Sequence, residues 1–259
     1  MSVKSFPWLT ERPIAHRGLH DISRNVEENT ATAFQAAIDK NYSIELDVQL
    51  TKDGHAVVFH DHDLDRLTTS SGKTVEKTMD QMRRLQLKHS ADPIQNLPEI
   101  LALIDGKVPV VIELKAPQIQ TTKLEEVVAT CLQDYSGEAA VMSFSPDIVT
   151  NLTKLTDRPR GIVSCDYFND EDGEHLSNEE CYALTHLLHF PTSKPDFISY
   201  GVKDFPAPSV DLLKSLYAIP TICWTTTDEA LHAKALHHCD QVTFEGYDPD
   251  GLNGLDEAD

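Results

Sequence analysis

The sequence predicts an α/β fold, a single (β/α)8 TIM barrel with a β-hairpin extension after its second strand and a short cap segment. Three observations lead there. Short β-rich apolar runs alternate with helical patterns over nearly all of the 259 residues, the rhythm of a parallel sheet covered by helices. Nine such runs occur, and one connection, "QLTKDGH" between Val48 and Ala56, is too short for the crossover that parallel strands require. That run folds back, leaving eight parallel strands, the number that closes a barrel. No G-x-G-x-x-G or G-x-x-x-x-G-K-[ST] follows any strand, which weakens the runner-up, an open doubly wound sheet around a nucleotide.

The elements follow in order. "PIAH" (13–16) opens the barrel, and "NTATAFQAAIDK" forms its first helix, capped by Asn29 or Thr30, with Ala33, Phe34, Ala37 and Ile38 on one face. "SIELDV" (43–48) and "AVVFH" (56–60) flank Asp53-Gly54, a strong hairpin signal. Residues 62–96 carry the helical pattern "TMDQMRRLQL", and "LPEILALI" leads to "VPVVIEL" (108–114). Four further helix patterns, "KLEEVVATCL", "PDIVTNLTKL", "NEECYALTHLL" and "SVDLLKSL", separate the apolar runs "AAVMSF" (139–144), "GIVSC" (161–165), "DFISY" (196–200) and "PTICWT" (220–225). "DEALHAKAL" and "QVTF" (241–244) complete the ring. The whole chain, 1–259, reads as one domain.

Forty-two acidic against twenty-two basic residues give a formal charge of -20, which argues against nucleic-acid phosphates and anionic membrane surfaces as partners. Any anionic substrate must be drawn in by local positive charge. The start, "MSVKSFPWLTERP", lacks an apolar leader run and no segment is long enough to span a membrane, so a cytoplasmic protein is expected. Five widely spaced cysteines without a C-x-x-C pair are expected to be reduced packing residues.

Chemistry concentrates at strand ends. Glu45 and Asp47 are two apart on one strand and share a face; two carboxylates so close repel unless a cation lies between them. A turn centred on Asp53 and Gly54 would set His60 beside Asp47. Glu113 and Lys115 repeat the spacing at the end of another strand, and His16 and Arg17 precede Gly18 at the end of the first. Strand C-terminal ends are where barrel enzymes place their chemistry. Glu45, Asp47 and Glu113 are hard oxygen ligands suited to one divalent cation, Mg²⁺ or Ca²⁺. Arg17 and Lys115 add positive charge fitted to a phosphate, and His16 and His60 are imidazoles, whose ordinary pKa near about 6.5 suits proton transfer. This is the inventory of metal-assisted phosphodiester cleavage.

Blander readings attach to the same residues. Arg17 as a structural ion pair and Lys115 neutralising Glu113 are the plain alternatives. Phe144 and Trp224 stand at strand ends, where an aromatic packs a core or lines a pocket. "HDHDLD" (60–65) invites a zinc reading, but the pair follows a hairpin from the second strand, and His62 reads as a loop residue. The acidic run "DYFNDEDGE" (166–174) lacks the order of an EF-hand and reads as a solvated loop placed to shape entry.

"AHRG", "EENT" (27–30), "ELDVQLTKDGHAVVFHD", "LDRLTT" (64–69), "LPEIL" and "IELK" resemble, in order and spacing, the glycerophosphodiester phosphodiesterases. "SFSP" (143–146) and "CWTTTD" (223–228) continue the resemblance more weakly. It implies a (β/α)8 barrel that hydrolyses glycerophosphodiesters to sn-glycerol 3-phosphate and an alcohol. It also implies His16 and His60 as the acid/base pair, Glu45, Asp47 and Glu113 as metal carboxylates, and Arg17 and Lys115 as phosphate contacts, with a substrate wall around Trp224 and residues 62–96 as the cap. The C-terminal third departs from the family pattern: Thr227 replaces the asparagine of W-T-V-N, and "TFEGYDPDG" replaces T-D-x-P. A zinc-dependent amidohydrolase-type barrel and a catalytically silent barrel that binds a phospho-ligand are the competing classes.

Overall fold

Eight strands run parallel around a closed ring in a computed structural model that describes residues 6–116 and 121–254. They are β1 (Ile14–Ala15), β2 (Ser43–Leu50), β4 (Val110–Leu114), β5 (Ala139–Ser143), β6 (Arg160–Ser164), β7 (Phe197–Gly201), β8 (Thr221–Thr226) and β9 (Gln241–Phe244). Closure is carried by β1, only two residues long, which pairs in parallel with both β2 and β9. The ninth strand, β3 (Ala56–Val58), returns antiparallel on β2 as expected from the short connection.

Period-2 alternation divides the side chains of each strand between two cores. Ile44, Leu46 and Val48 of β2 and Val110, Ile112 and Leu114 of β4 point outward into the layer packed by helices such as Ala31–Asp39 and Leu97–Ile104. The alternate positions point inward. There Val111, Ala140, Met142, Val163, Phe197 and Ile222 fill the barrel axis. Leu9, on a short helix Trp8–Glu11 that has no strong pattern in the sequence, packs with them. Glu45, Asp47 and Glu113 occupy inward positions too, Glu45 level with Val111 and Asp47 level with Glu113, so the pleat that builds the core also delivers three acids to the barrel mouth.

Helix entries are fixed by local hydrogen bonds. Thr30 caps Ala31–Asp39 by accepting from the Ala33 N–H, and Asn96 with Glu99 forms a reciprocal capping box at Leu97–Ile104. The cap holds a helix, Met79–Arg83, and a satellite core in which Leu64, Leu67, Met79, Met82, Leu87 and Ile94 pack on Val57 and Phe59 of the hairpin arm.

Two expectations are corrected. The hairpin loop has three residues, not two: the Thr51 N–H donates to the His55 carbonyl, with Gly54 at φ +83°. The register is therefore Val48 against Val58, and Asp47 faces Phe59, not His60. His60 reaches the site because the chain leaves the ladder after Val58. The second correction concerns the cysteines. Cys223 in β8 and Cys239 just before β9 are joined in a disulfide across a Cα separation of 6.0 Å, because two neighbouring strands and the helix Glu229–Leu236 between them bring the pair together; Cys131, Cys165 and Cys181 are free thiols.

Candidate active site

At the C-terminal end of β1 the His16 N–H donates to the Phe244 carbonyl at 2.9 Å, and the chain then turns through Arg17 (φ 54°) and Gly18 (φ 79°). A Cβ on Gly18 would stand 2.9 Å from both the Ala33 Cβ and the Phe34 Cδ1, so this turn admits glycine alone against the helix. The turn presents the Arg17 N–H to Glu45 Oε2 at 2.9 Å. The guanidinium lies 2.7 Å from Glu28 Oε1 and 3.4 Å from Asp47 Oδ2. Asn29, just before the helix, grips Asp47 twice: its amide donates to Oδ2 at 2.9 Å and its carbonyl accepts from the Asp47 N–H at 3.2 Å.

Glu45, Asp47 and Glu113 thus converge, each offering a carboxylate oxygen within 4.8 Å of the others. All three are buried. Lys115 Nζ sits beside them, 3.0 Å from Asp47 Oδ1 and 2.6 Å from Glu113 Oε1. Burial raises the proton affinity of Glu45 well above the usual carboxylate range, and the charges of Asp47 and Glu113 push the same way. Burial likewise lifts Glu113, against the pull of Lys115. For Asp47 burial is outweighed by Lys115, Arg17 and His60, which hold its carboxyl well below the ordinary range. The Glu45 Oε1 is buried with no hydrogen-bond partner. An orphaned carboxylate oxygen, three acids against two local cations, and an all-oxygen donor set together fit a divalent hard cation.

The two imidazoles are each tied through Nδ1 to a carboxylate. His60 meets Asp61 Oδ1 at 2.6 Å, and His16 meets Glu245 Oε2 at 2.8 Å. Asp61 is itself clamped by Arg66 Nε at 2.6 Å and Nη2 at 2.8 Å, and Arg66 forks onto both oxygens of Glu28. A continuous chain of hydrogen bonds and ion pairs therefore runs from His60 through Asp61, Arg66, Glu28 and Arg17 to Asp47. Gln49 pins the segment after β3, donating to the carbonyls of Phe59, His60 and Asp61 while its own carbonyl meets His62 Nδ1 at 3.0 Å. Burial lowers the proton affinity of His16 despite its bond to Glu245.

Around this centre opens a cavity of about 930 Å³. His16, Arg17, Glu45, His60, Glu113 and Lys115 line it, and Asp47 lies just behind them, fully buried. Phe144 and Trp224 form one wall, edge to face at 5.3 Å. Between Cys223 and Thr226 strand β8 holds one residue more than its partner β9, the kind of irregularity that re-aims a strand-end side chain. His62 lines the cavity too, and so do Asp170 and Asp172 of the acidic run. Sequence reasoning missed Glu28, Asn29, Gln49, Asp61, Arg66 and Glu245. The first two stand in "EENT" and the next three in or beside the hairpin motif; for Glu245 no local signal exists.

Fold and site define the class: a closed barrel with its acids and imidazoles gathered at the C-terminal strand ends, where barrel enzymes react. The glycerophosphoryl diester phosphodiesterase family matches residues 16–243, and the chain belongs to that family. It is 38% identical over 137 residues to the glycerophosphodiester phosphodiesterase of Caldanaerobacter subterraneus subsp. tengcongensis, covering 50% of this chain and 55% of that protein. It is 39% identical over 121 residues to a putative glycerophosphodiester phosphodiesterase of Bacillus subtilis, covering 44% and 49%. The chain thus spans about half the length of the curated relatives it matches. Its fold is that of an Oleispira antarctica phosphodiesterase solved with the product sn-glycerol-3-phosphate, with a TM-score of 0.75 at 19% identity over 94% of this chain and 96% of that one.

Proposed function

We propose that the protein is a divalent-cation-dependent hydrolase that cleaves glycerophosphodiesters to sn-glycerol 3-phosphate and an alcohol, with His16 and His60 as its proton-transfer pair. The observation that carries this reading is the convergence of Glu45, Asp47 and Glu113 within 4.8 Å in a cavity that His16 and His60 also line. Mg²⁺ or Ca²⁺ held by the three carboxylates would supply electrostatic stabilisation for the charge that builds on the phosphoryl oxygens. The zinc reading has no support in the donor set: among the described residues the one group with metal-holding geometry contains neither histidine nor cysteine, and His62 is bonded to Gln49.

Arg17 and Lys115 are the cations that meet the phosphate. In an acidic chain they supply the local positive field that draws an anion to the mouth. With Nδ1 of each imidazole engaged by a carboxylate, Nε2 is the nitrogen left to exchange a proton; one histidine, neutral, takes a proton from the attacking oxygen, and the other, protonated, gives its own to the leaving alkoxide. Phe144 and Trp224 exclude water on one side. The substrate is a small molecule, and no helix among the described residues is long and apolar enough to cross a membrane. A coupled assay for sn-glycerol 3-phosphate release from several glycerophosphodiesters, with and without chelator, tests the reading; no release from any of them with Mg²⁺ or Ca²⁺ present rejects it.

A further inference from the structure

Glu245 stands immediately after β9, in the stretch "TFEGYDP". Its position is set by barrel closure. β9 pairs with β1 in the register Thr243 against Ile14 and Phe244 against Ala15, so the next residue of each strand, Glu245 and His16, come out side by side. Both backbones are held there: the His16 N–H donates to the Phe244 carbonyl at 2.9 Å and the Glu245 N–H to the Thr226 carbonyl at 3.0 Å. The carboxylate therefore hangs from three strands of the barrel, and such support holds a group more rigidly than a loop does.

Its surroundings differ from those of the other histidine's partner. Asp61 shares its charge with Arg66. Among the described residues no lysine or arginine lies within ion-pair distance of Glu245, whose Oε2 is 2.8 Å from His16 Nδ1 and 3.6 Å from His20 Nε2. A carboxylate is acceptor-only, so His16 carries its proton on Nδ1 and leaves Nε2 as the basic nitrogen. We propose that Glu245 is a positioning residue for His16, fixing its tautomer and ring orientation and stabilising the imidazolium that forms when Nε2 takes a proton. The inference rests on the hydrolase reading for its kinetic consequence and on geometry alone for the tautomer.

Two measurements test it on the full chain. Nitrogen NMR of ¹⁵N-histidine-labelled protein, with the His16 signal assigned from His16→Gln, is expected to show the Nδ1–H tautomer, and Glu245→Gln is expected to shift it. In steady-state hydrolysis, Glu245→Gln and Glu245→Ala are expected to lose about 10²- to 10⁴-fold in kcat with KM nearly unchanged, the range for disabling one proton-transfer group. Glu245→Asp is expected to recover part of that loss. The double variant His16→Ala/Glu245→Ala is expected to be no slower than His16→Ala, because a residue that acts through another is non-additive with it. A wild-type Nε2–H tautomer overturns the proposal. So does a Glu245→Gln variant with kcat within twofold of wild type, or a double variant that loses the product of the two single effects. If the wild type turns over no glycerophosphodiester, the hydrolase reading falls while the NMR result still decides the tautomer.

Discussion

Lys115→Met removes an ammonium from the middle of the acid cluster while keeping an unbranched apolar stem of nearly the same length. Among the described residues Arg17 and Lys115 are the basic side chains within ion-pair distance of the cluster, and Arg17 is already engaged by Glu28, so the substitution leaves Glu113 without its ion-pair partner and Asp47 with Arg17 alone. The partners are deeply placed: side-chain exposure is 15% for Lys115, 1% for Asp47 and 9% for Glu113. Removing one partner of such a buried pair costs about 3–5 kcal/mol. At about 2–4 °C per kcal/mol for a domain of this size, that is a fall in Tm of roughly 6–20 °C. The loss depends on pH in a defined sense. Glu45 and Glu113 have raised proton affinities in the folded protein, so their contribution is most favourable at low pH and declines as pH rises through the raised values; the deficit of Lys115→Met therefore grows with rising pH. Added Mg²⁺ or Ca²⁺ would replace the missing charge and raise Tm with concentration, as any ligand of the native state does. Thermal denaturation of both proteins in chelator across a pH series, followed by metal titration, reads all three effects. A variant within about 2 °C of wild type in chelator throughout the series, on the same scale of degrees per kcal/mol, would refute the claim that these acids depend on a shared cation.

The remaining expectations concern proton transfer, metal and acid stability. His16→Ala and His60→Ala should each lower kcat by about 10²- to 10⁴-fold while calorimetry finds metal binding nearly intact; near-wild-type turnover in either variant removes that residue from the mechanism. Exhaustive chelation should silence hydrolysis and Mg²⁺ or Ca²⁺ should restore it, and full activity in protein shown by elemental analysis to be metal-free would end the metal claim. His189 is half-buried, with its Nε2 shut off from solvent and no charged partner among the described residues, and this desolvation pushes its pKa down to about 4, whereas in the unfolded chain it titrates at about 6.5. Its contribution is therefore complete above about 6.5 and drains away as pH falls toward about 4; His189→Gln should flatten the fall of Tm across that window, and an unchanged slope would show that burial of this imidazole is not its source.

Much of the architecture is legible along the chain because strands and helices answer to near neighbours. The β-rich apolar run of "VPVVIEL" predicts β4, the Asn-x-x-Glu spacing at 96–99 makes the capping box that starts Leu97–Ile104, and seven residues between Val48 and Ala56 exclude a crossover. The same period places Glu45 with Asp47 and keeps Glu113 on the inward row. Where a single residue of loop decides the outcome, local reading fails: the three-residue hairpin shifts His60 off Asp47, and only the hydrogen bonds of Thr51 and His55 fix the count.

Composition and periodicity by themselves determined the barrel, the acid pairs and the strand ends at which the chemistry gathers. Tertiary structure decided which of these groups meet. Glu245 lies 229 residues from His16, Cys239 reaches Cys223 across adjacent strands, and Arg66 on the cap ties Asp61 to Glu28 on the far side of β2. Such contacts depend on the register at which the ring closes and on how the cap docks, and those are set by the packing of many side chains at once, a sum that no short stretch of sequence contains.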